Sequence, residues 1–415
     1  MKVKIYRGTK EIGGTCVELT ANNGKILWID VGSPLDNKSS NVDYVKNKVD
    51  AVLISHPHMD HFGLVEHLVS EVPVYIGELG LDLINATKIF TTGELLKGNF
   101  QTFKPWKNFT IENTFKITPF LTDHSTPEAF AFLIEADGKR LFYSGDFRAK
   151  GRKEDVFHRL IQKPPGNIDL LLMEGTMVER TIHLYQTEKS VEDAMDKIFR
   201  EQKNVSFVIS SAQNLDRFIS VFKASRKNNK TLVIDVYTAW ILDEVRKKSK
   251  STPGIDWKEI KVYEHKGQLN KIKSHVFDDF KRRVKVQSIG YDVYRKQMDF
   301  VYFVRCPNEA LMNKLRGREK INVIYSQWEG YLKKEHANYC TDNINALKEA
   351  KDISFQSIHT SGHATVPDLK KFAKALKAKM IVPIHTAFPA KFKEELEKEG
   401  MKNICLWEDG IEYKL

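Results

Sequence analysis

The stretch ISHPHMDHFG, Ile54–Gly63, sets His56, His58, Asp60 and His61 within six consecutive positions. The apolar run VDAVLI leads into it and has the composition of a buried strand, while FGLVEHLVSE behind it reads as a helix. Imidazoles and a carboxylate suit Zn²⁺ or another first-row divalent ion. His56 and His58, two apart on an extended turn, are spaced to pinch one ion. Asp60 and His61 follow as the chain curls into the helix, and point toward a second. A pair of ions ~3.5–4 Å apart activates a bridging hydroxide and stabilises both attacking and leaving oxygens.

Other candidate ligands share the same local setting, the end of an apolar strand. FKITPFLTD leads to His124, KRLFYSG to Asp146, DLLLM to Glu174 and AKMIVPI to His385. Residues just past strand ends in α/β folds converge on one crevice, so groups far apart in sequence meet there. Asp146, with two carboxylate oxygens, fits the bridge between two cations. Asp30, which ends KILWID, reads as an acceptor that orients a metal-bound histidine. His67, His158, His183, His265, His275 and His336 lack this setting and read as ordinary surface or core histidines.

Strands dominate the first third, and EADGKRLF has the DG turn of an antiparallel hairpin. Helix and strand alternate from about residue 188 onward: SVEDAMDKIFREQ, NLDRFISVFKASRKNN and AWILDEVRKKS are amphipathic, with NVSFVISS and KTLVIDVY between them. ISFQSIH, VPDLKKFAKALK, KMIVPIH, PAKFKEELEKEG and NICLWEDG continue the alternation as strand, helix, strand, helix, strand. Residues 250–290 give no clear pattern.

The 415 residues allow more than one domain, and the 41% hydrophobic content is that of a globular protein. No apolar run reaches membrane-spanning length and no signal-peptide pattern opens the chain. Cys16, Cys306, Cys340 and Cys405 have no CxxC spacing; reduced thiols fit a cytoplasmic protein. Of the net charge of +11, nearly all sits in residues 179–345, which hold 32 Lys and Arg against 22 Asp and Glu. Such a module favours a polyanionic partner.

The pattern resembles the metallo-β-lactamase superfamily, with Asp30, HPHMDH, His124 and Asp146 as its successive motifs. EIGGTCVEL, TDHSTPEAF, YSGDFR, LLLMEGT, HTSGHA and VPIHT are similar to the β-CASP nucleases, ribonuclease J among them. The resemblance spans almost the whole chain, and is poor across about 240–320. It implies an α/β fold: a metallo-β-lactamase αββα sandwich (1–178 and 346–415) with an inserted α/β β-CASP domain (179–345). It implies one metal on His56, His58, His124 and Asp146, and a second on Asp60, His61, Asp146 and His385. Zn²⁺ is favoured by the histidines, with Mn²⁺ left open by the carboxylates. His363 then matches the histidine that protonates the leaving oxygen, Glu174 the acid that orients it, and Asp60 belongs to the catalytic set. His359 and Ser361 resemble residues that touch a phosphate beside the cut.

The chain departs from that family in places. SAQN, Ser211–Asn214, puts Gln213 where ribonuclease J has a phosphate-seating serine. Thr386 follows His385 where glycine is usual, and Gly175–Thr176 replaces Ser-Thr after Glu174. A homo-oligomer stays open, since the sequence ends at WEDGIEYKL without the extra domain that longer relatives use in assembly. The expected activity is hydrolysis of single-stranded RNA, or of other single-stranded nucleic acid. A dinuclear hydrolase of a small substrate (cyclic nucleotide, lactone or thioester) and a non-catalytic RNA-binding scaffold are the alternatives.

Overall fold

The computed structural model describes residues 1–35, 42–180, 184–202, 205–272, 277–289, 299–307, 311–313 and 321–415. They form two compact units, one of Met1–Leu81, Leu96–Ile182 and Gly362–Leu415, the other of Asp82–Leu95 and His183–Ser361.

Unit 1 is built on two sheets. In the first, β1 (Lys2–Arg7), β2 (Cys16–Thr20), β3 (Ile26–Ile29), β4 (Ala51–Leu53), β5 (Pro73–Gly77) and β6 (Asn99–Phe103) lie in that order, and β19 (Glu412–Lys414) pairs with β1 at the edge. The second carries β7 (Phe109–Ile111), β8 (Phe115–Leu121), β9 (Phe130–Ala136), β10 (Lys139–Tyr143), β11 (Leu170–Glu174) and β18 (Met380–Ile384). Side-chain alternation assembles them. Leu141 and Tyr143 of β10, with Leu170 and Leu172 of β11, join Ile5, Leu19 and Ile29 of the first sheet in one core. Phe142, Leu171 and Met173, one residue out of phase, instead meet Phe157, Phe372 and Phe392 from three helices. Strands buried on both faces therefore read as continuous apolar runs, as in Leu170–Met173. Asp137 and Gly138, both at positive φ, make the predicted hairpin turn between β9 and β10.

Unit 2 holds a six-stranded, all-parallel sheet of β12 (Ser206–Ile209), β13 (Thr231–Asp235), β14 (Ile260–Tyr263), β15 (Phe300–Val304), β16 (Ile321–Tyr325) and β17 (Ile353–Ser357). Its order is β14-β13-β15-β12-β16-β17. The three amphipathic segments form the helices Glu188–Glu201, Leu215–Lys227 and Val236–Lys248.

Three expectations change. The sequence assigns residues 346–361 to the sandwich, but β17 pairs in parallel along all five residues of β16, so the stretch belongs to unit 2. FGLVEHLVSE is not one helix: a four-residue helix, Met59–Phe62, ends at Gly63, and Leu64 N–H bonds the carbonyl of Val31 instead of continuing the turn. NICLWEDG makes one parallel bridge, Ile404 with Ile381, while Trp407 leaves the strand path and stacks on Tyr413.

Candidate metal centre

The strand ends do converge. β8 and β10 are each antiparallel to β9, so they run the same way, and β11 and β18 are parallel to β10. His124, Asp146, Glu174 and His385 therefore emerge at one edge. β3 and β4, parallel to each other, deliver Asp30 and His56.

Special backbone geometry holds several of these residues. Asp30 and His385 are in the left-handed region (φ 58 and 50), which Asp and His tolerate better than most residues. Gly145 (φ 52) precedes Asp146, and a Cβ there would lie 2.3 Å from the carbonyl of Phe130, so the turn carrying the carboxylate requires glycine.

Among the described residues, three groups of ligand-type side chains lie close enough to share an ion: His56, His58 and His124; Asp60, His61, Asp146 and His385; Asp146, Glu174 and His363. In the first, His58 Nδ1 is 3.1 Å from His56 Nε2 and 3.2 Å from His124 Nε2. Nitrogens bound tetrahedrally at ~2.0–2.1 Å would sit ~3.3 Å apart. Asp146 Oδ2 lies 3.6 Å from His56 Nε2 and 3.3 Å from His61 Nε2, and Oδ1 3.1 Å from His385 Nδ1. Asp60 is 3.8 Å from His61 Nε2 and 3.5 Å from His385 Nε2. Among the described residues, His61 Nε2, Asp146 Oδ1 and both ring nitrogens of His385 are buried without a hydrogen-bond partner. Buried polar atoms are rarely left so. A cluster of such lone pairs around one carboxylate fits divalent cations.

Electrostatics agree. Burial, together with neighbouring histidines, pushes His56 and His124 well below the ordinary imidazole value, and burial likewise lowers His58. These rings are neutral donors. Burial opposes the charge on Asp146, but His385, His61 and His363 overcome it and hold the carboxyl well below its usual range. Burial also opposes charge on His61, yet Asp146, Asp30 and Asp60 raise it well above the ordinary value. For His363 burial is outweighed by Glu174 and Asp146, and its pKa rises. Its Nδ1 is 3.1 Å from Glu174 Oε2 and 3.7 Å from Asp146 Oδ2.

The orienting groups are only partly those the sequence suggests. Asp30 accepts from His61 Nδ1 (2.7 Å), as expected, and also from the Tyr143 hydroxyl and from Ser55 through both backbone and side chain. His124 Nδ1 bonds the carbonyl of Gly362 at 2.7 Å, which leaves Nε2 to face His58. Tyr143, Ser55 and Gly362 carry no ligand chemistry of their own, and a search for ligand types passes over them. Glu174 accepts the N–H of Phe147.

The two departures beside this site form one exchange of bulk. A Cβ on Gly175 would meet Thr386 at 3.0 Å and Phe392 at 2.8 Å. The missing side chain at 175 is what admits Thr386, which is fully buried. The Thr176 hydroxyl donates to the carbonyl of His385 and supports that turn.

His359, Ser361 and Gln213 belong to unit 2. There Arg217, wholly buried and paired with Glu188, lies 3.3 Å from His359 Nδ1 and donates to the carbonyls of Ser326 and Thr360. Nothing in the sequence marks this arginine. The Gln213 amide donates to Thr87 Oγ1 at 2.6 Å. Of the histidines read as ordinary, His67, His158, His265 and His336 join no ligand group among the described residues, and His183 and His275 lie outside those residues. Among the described residues, none of the four cysteines is in a disulfide. Among the described residues no helix is long and apolar enough to cross a membrane.

Comparison with known proteins agrees with this geometry. Residues 31–202 match the beta-lactamase superfamily domain, and residues 353–406 match the Zn-dependent metallo-hydrolase RNA specificity domain. Ribonuclease J of Helicobacter pylori (strain B128) is 22% identical over 99% of this chain and 60% of its own length. Ribonuclease J of Mycoplasma genitalium is 25% identical over 46% of this chain and 34% of its own. An RNase J-like protein of Methanocaldococcus jannaschii is 26% identical over 57% and 54%. The chain thus spans about a third to three fifths of the length of these curated relatives. A crystal structure of a protein of unknown function from Enterococcus faecalis V583 has the same fold, with a TM-score of 0.76 at 20% identity over 100% of this chain and 99% of that one. Metal-ligand motifs, converging strand ends and matched domains agree: the chain carries a beta-lactamase superfamily domain over residues 31–202 and a Zn-dependent metallo-hydrolase RNA specificity domain over 353–406, and is similar to ribonuclease J.

Proposed function

We propose that this chain is a metal-dependent phosphodiester hydrolase that cleaves single-stranded RNA. His56, His58, His124 and Asp146 would hold one divalent ion, and Asp60, His61, Asp146 and His385 a second. The imidazole-rich set favours Zn²⁺, and the carboxylates also accommodate Mn²⁺. Bound there, such ions supply Lewis acidity toward the phosphate and make water a nucleophile near neutral pH.

The chain's own groups do the rest. Asp30 accepts the hydrogen bond of His61 Nδ1–H and the Gly362 carbonyl that of His124 Nδ1–H, so Nε2 of each ring would face a bound ion. His363 holds the proton that the departing oxygen needs, and Glu174, buried and braced by Phe147 N–H, stabilises its charged form. His359, fixed by Arg217, and Ser361 would touch a phosphate of the strand. The basic segment 179–345, read as the inserted domain, would bind the strand's charge.

The Glu174–His363 pair beside Asp146 carries the reading, because an alkoxide leaving from ribose needs a proton. His363→Ala should lower RNA cleavage by about 10²–10⁴-fold. The same variant should lose far less on a phosphodiester that releases p-nitrophenolate, which leaves without protonation. Equal losses on both substrates would remove the general-acid assignment. Purified protein that hydrolyses lactones or cyclic nucleotides and leaves labelled RNA intact would overturn the whole reading.

A further inference from the structure

Unit 2 contains a cavity that the metal centre does not use. Two neighbouring strands of its parallel sheet send the chain in opposite directions: from β13 it goes to β14 on one side, and from β15 to β16 on the far side of β12. In open parallel sheets such a divergence opens a crevice beyond the strands' carboxyl ends, where ligands seat. Here it is a cavity of about 470 Å³, bounded by Asp235 at the end of β13 and by Val304 and Arg305 at the end of β15. Ligand pockets run to ~300–1,000 Å³.

Its wall is aromatic, with Phe90, Tyr237, Tyr263, Tyr302 and Tyr339. The inner polar groups are already engaged. Asp235 caps the helix Val236–Lys248 through Thr238 N–H and accepts the Gln268 amide, while Tyr237 and Gln213 both meet Thr87 Oγ1. The cations at the mouth are different. Arg305 lies 5.6 Å over the ring of Tyr339, which is 73% exposed, and among the described residues no carboxylate pairs with Arg305. Lys271 donates to the neutral carbonyl of Thr91. The cavity therefore asks for a flat, largely apolar body with an anionic end.

We propose that this cavity binds a nucleotide, with its base against the tyrosines and its phosphate on Arg305 and Lys271. Stacking on aromatic rings accepts any base, and guanidinium matches phosphate geometry. The nucleotide is either free nucleoside monophosphate or the terminal residue of an RNA strand. Choosing a nucleotide over another aromatic anion rests on the RNA-hydrolase reading; the cavity itself does not, since unit 2 alone forms it.

Cys306 lines the cavity and offers a readout that needs no turnover. The whole protein is treated with N-ethylmaleimide and labelling of Cys306 is followed by peptide mass spectrometry, with Cys405 in unit 1 as the reference. Adenosine 5′-monophosphate should slow labelling of Cys306 severalfold and leave Cys405 unchanged. Arg305→Ala and Tyr339→Ala, both at exposed positions, should each raise the concentration required by roughly tenfold or more. A 5′-phosphorylated oligoadenylate that protects better than the mononucleotide assigns the site to an RNA end, and the reverse order assigns it to the free nucleotide. No protection by either, or protection unaltered by both substitutions, overturns the proposal. Equal protection by an aromatic acid without ribose or phosphate overturns the nucleotide assignment. Protein that cleaves RNA yet shows no protection loses this site and keeps its function; protein that is protected yet never cleaves RNA does the opposite.

Discussion

Asp30 receives four hydrogen bonds on two oxygens, from His61, Tyr143 and twice from Ser55, and makes none of the contacts of a ligand itself. In the proposed metal site its work would be to keep the Nδ1 proton of His61 on the outside of the cluster. Asparagine at this position isolates that role, because it tolerates the left-handed φ of 58 and retains one acceptor oxygen. Its amide nitrogen, however, can only donate, and one of the facing donors loses its partner. Asp30→Asn should therefore fold and bind divalent metal about 10–100-fold more weakly, measured by competition with a chromogenic chelator. Wild-type affinity in this variant would show that the contact is structural only. The side chains that cluster here were legible because HxHxDH concentrates ligand chemistry in six positions. Their supports were not, since a serine, a tyrosine and a glycine carbonyl acquire meaning only from what they face.

At the level of elements, the sequence yielded those whose apolar pattern is set by two-sided or amphipathic burial. Leu170–Met173 and the helix Leu215–Lys227 are of this kind. It failed where a tertiary contact replaces the local preference. Leu64 abandons the helix for Val31, and Trp407 abandons a strand for Tyr413. Residues 250–290 were opaque because β14, an edge strand of four residues, sets Lys261 between its only two buried residues, Ile260 and Val262, and short helices follow it. The exchange between Gly175 and Thr386 is another tertiary fact hidden in two separate motifs. It predicts coupling. Gly175→Ser alone overfills the space beside Thr386 and Phe392 and should cost about 1–3 kcal/mol. Adding Thr386→Gly should return part of that loss, so that the double-mutant cycle gives an interaction of about 0.5–3 kcal/mol in denaturant titrations. Strict additivity would mean that the two positions accommodate side chains independently.

For the molecule as a whole, the proposed function assigns binding and chemistry to different sets of charges. Residues 179–345 carry an excess of 32 basic over 22 acidic residues, while the cluster of His56, His61, Asp146 and His385 is buried and shielded from mobile ions. Each phosphate neutralised by Lys or Arg releases condensed counterions, and for single strands log K falls with log salt at about −0.7 per phosphate. With Asp146→Asn to prevent cleavage, RNA affinity should fall with a slope of roughly −3 if about four to five phosphates are engaged. Single-turnover cleavage by the intact protein at saturating RNA should change little over the same range, because the Glu174–His363 pair is only slightly exposed to the salt. Charge-reversing substitutions of exposed lysines in 179–345 should flatten the slope without altering that saturated rate. A slope near zero, or a cleavage rate at saturation that falls in step with affinity, would place the strand's recognition inside the metal centre and leave the basic segment without a part in it.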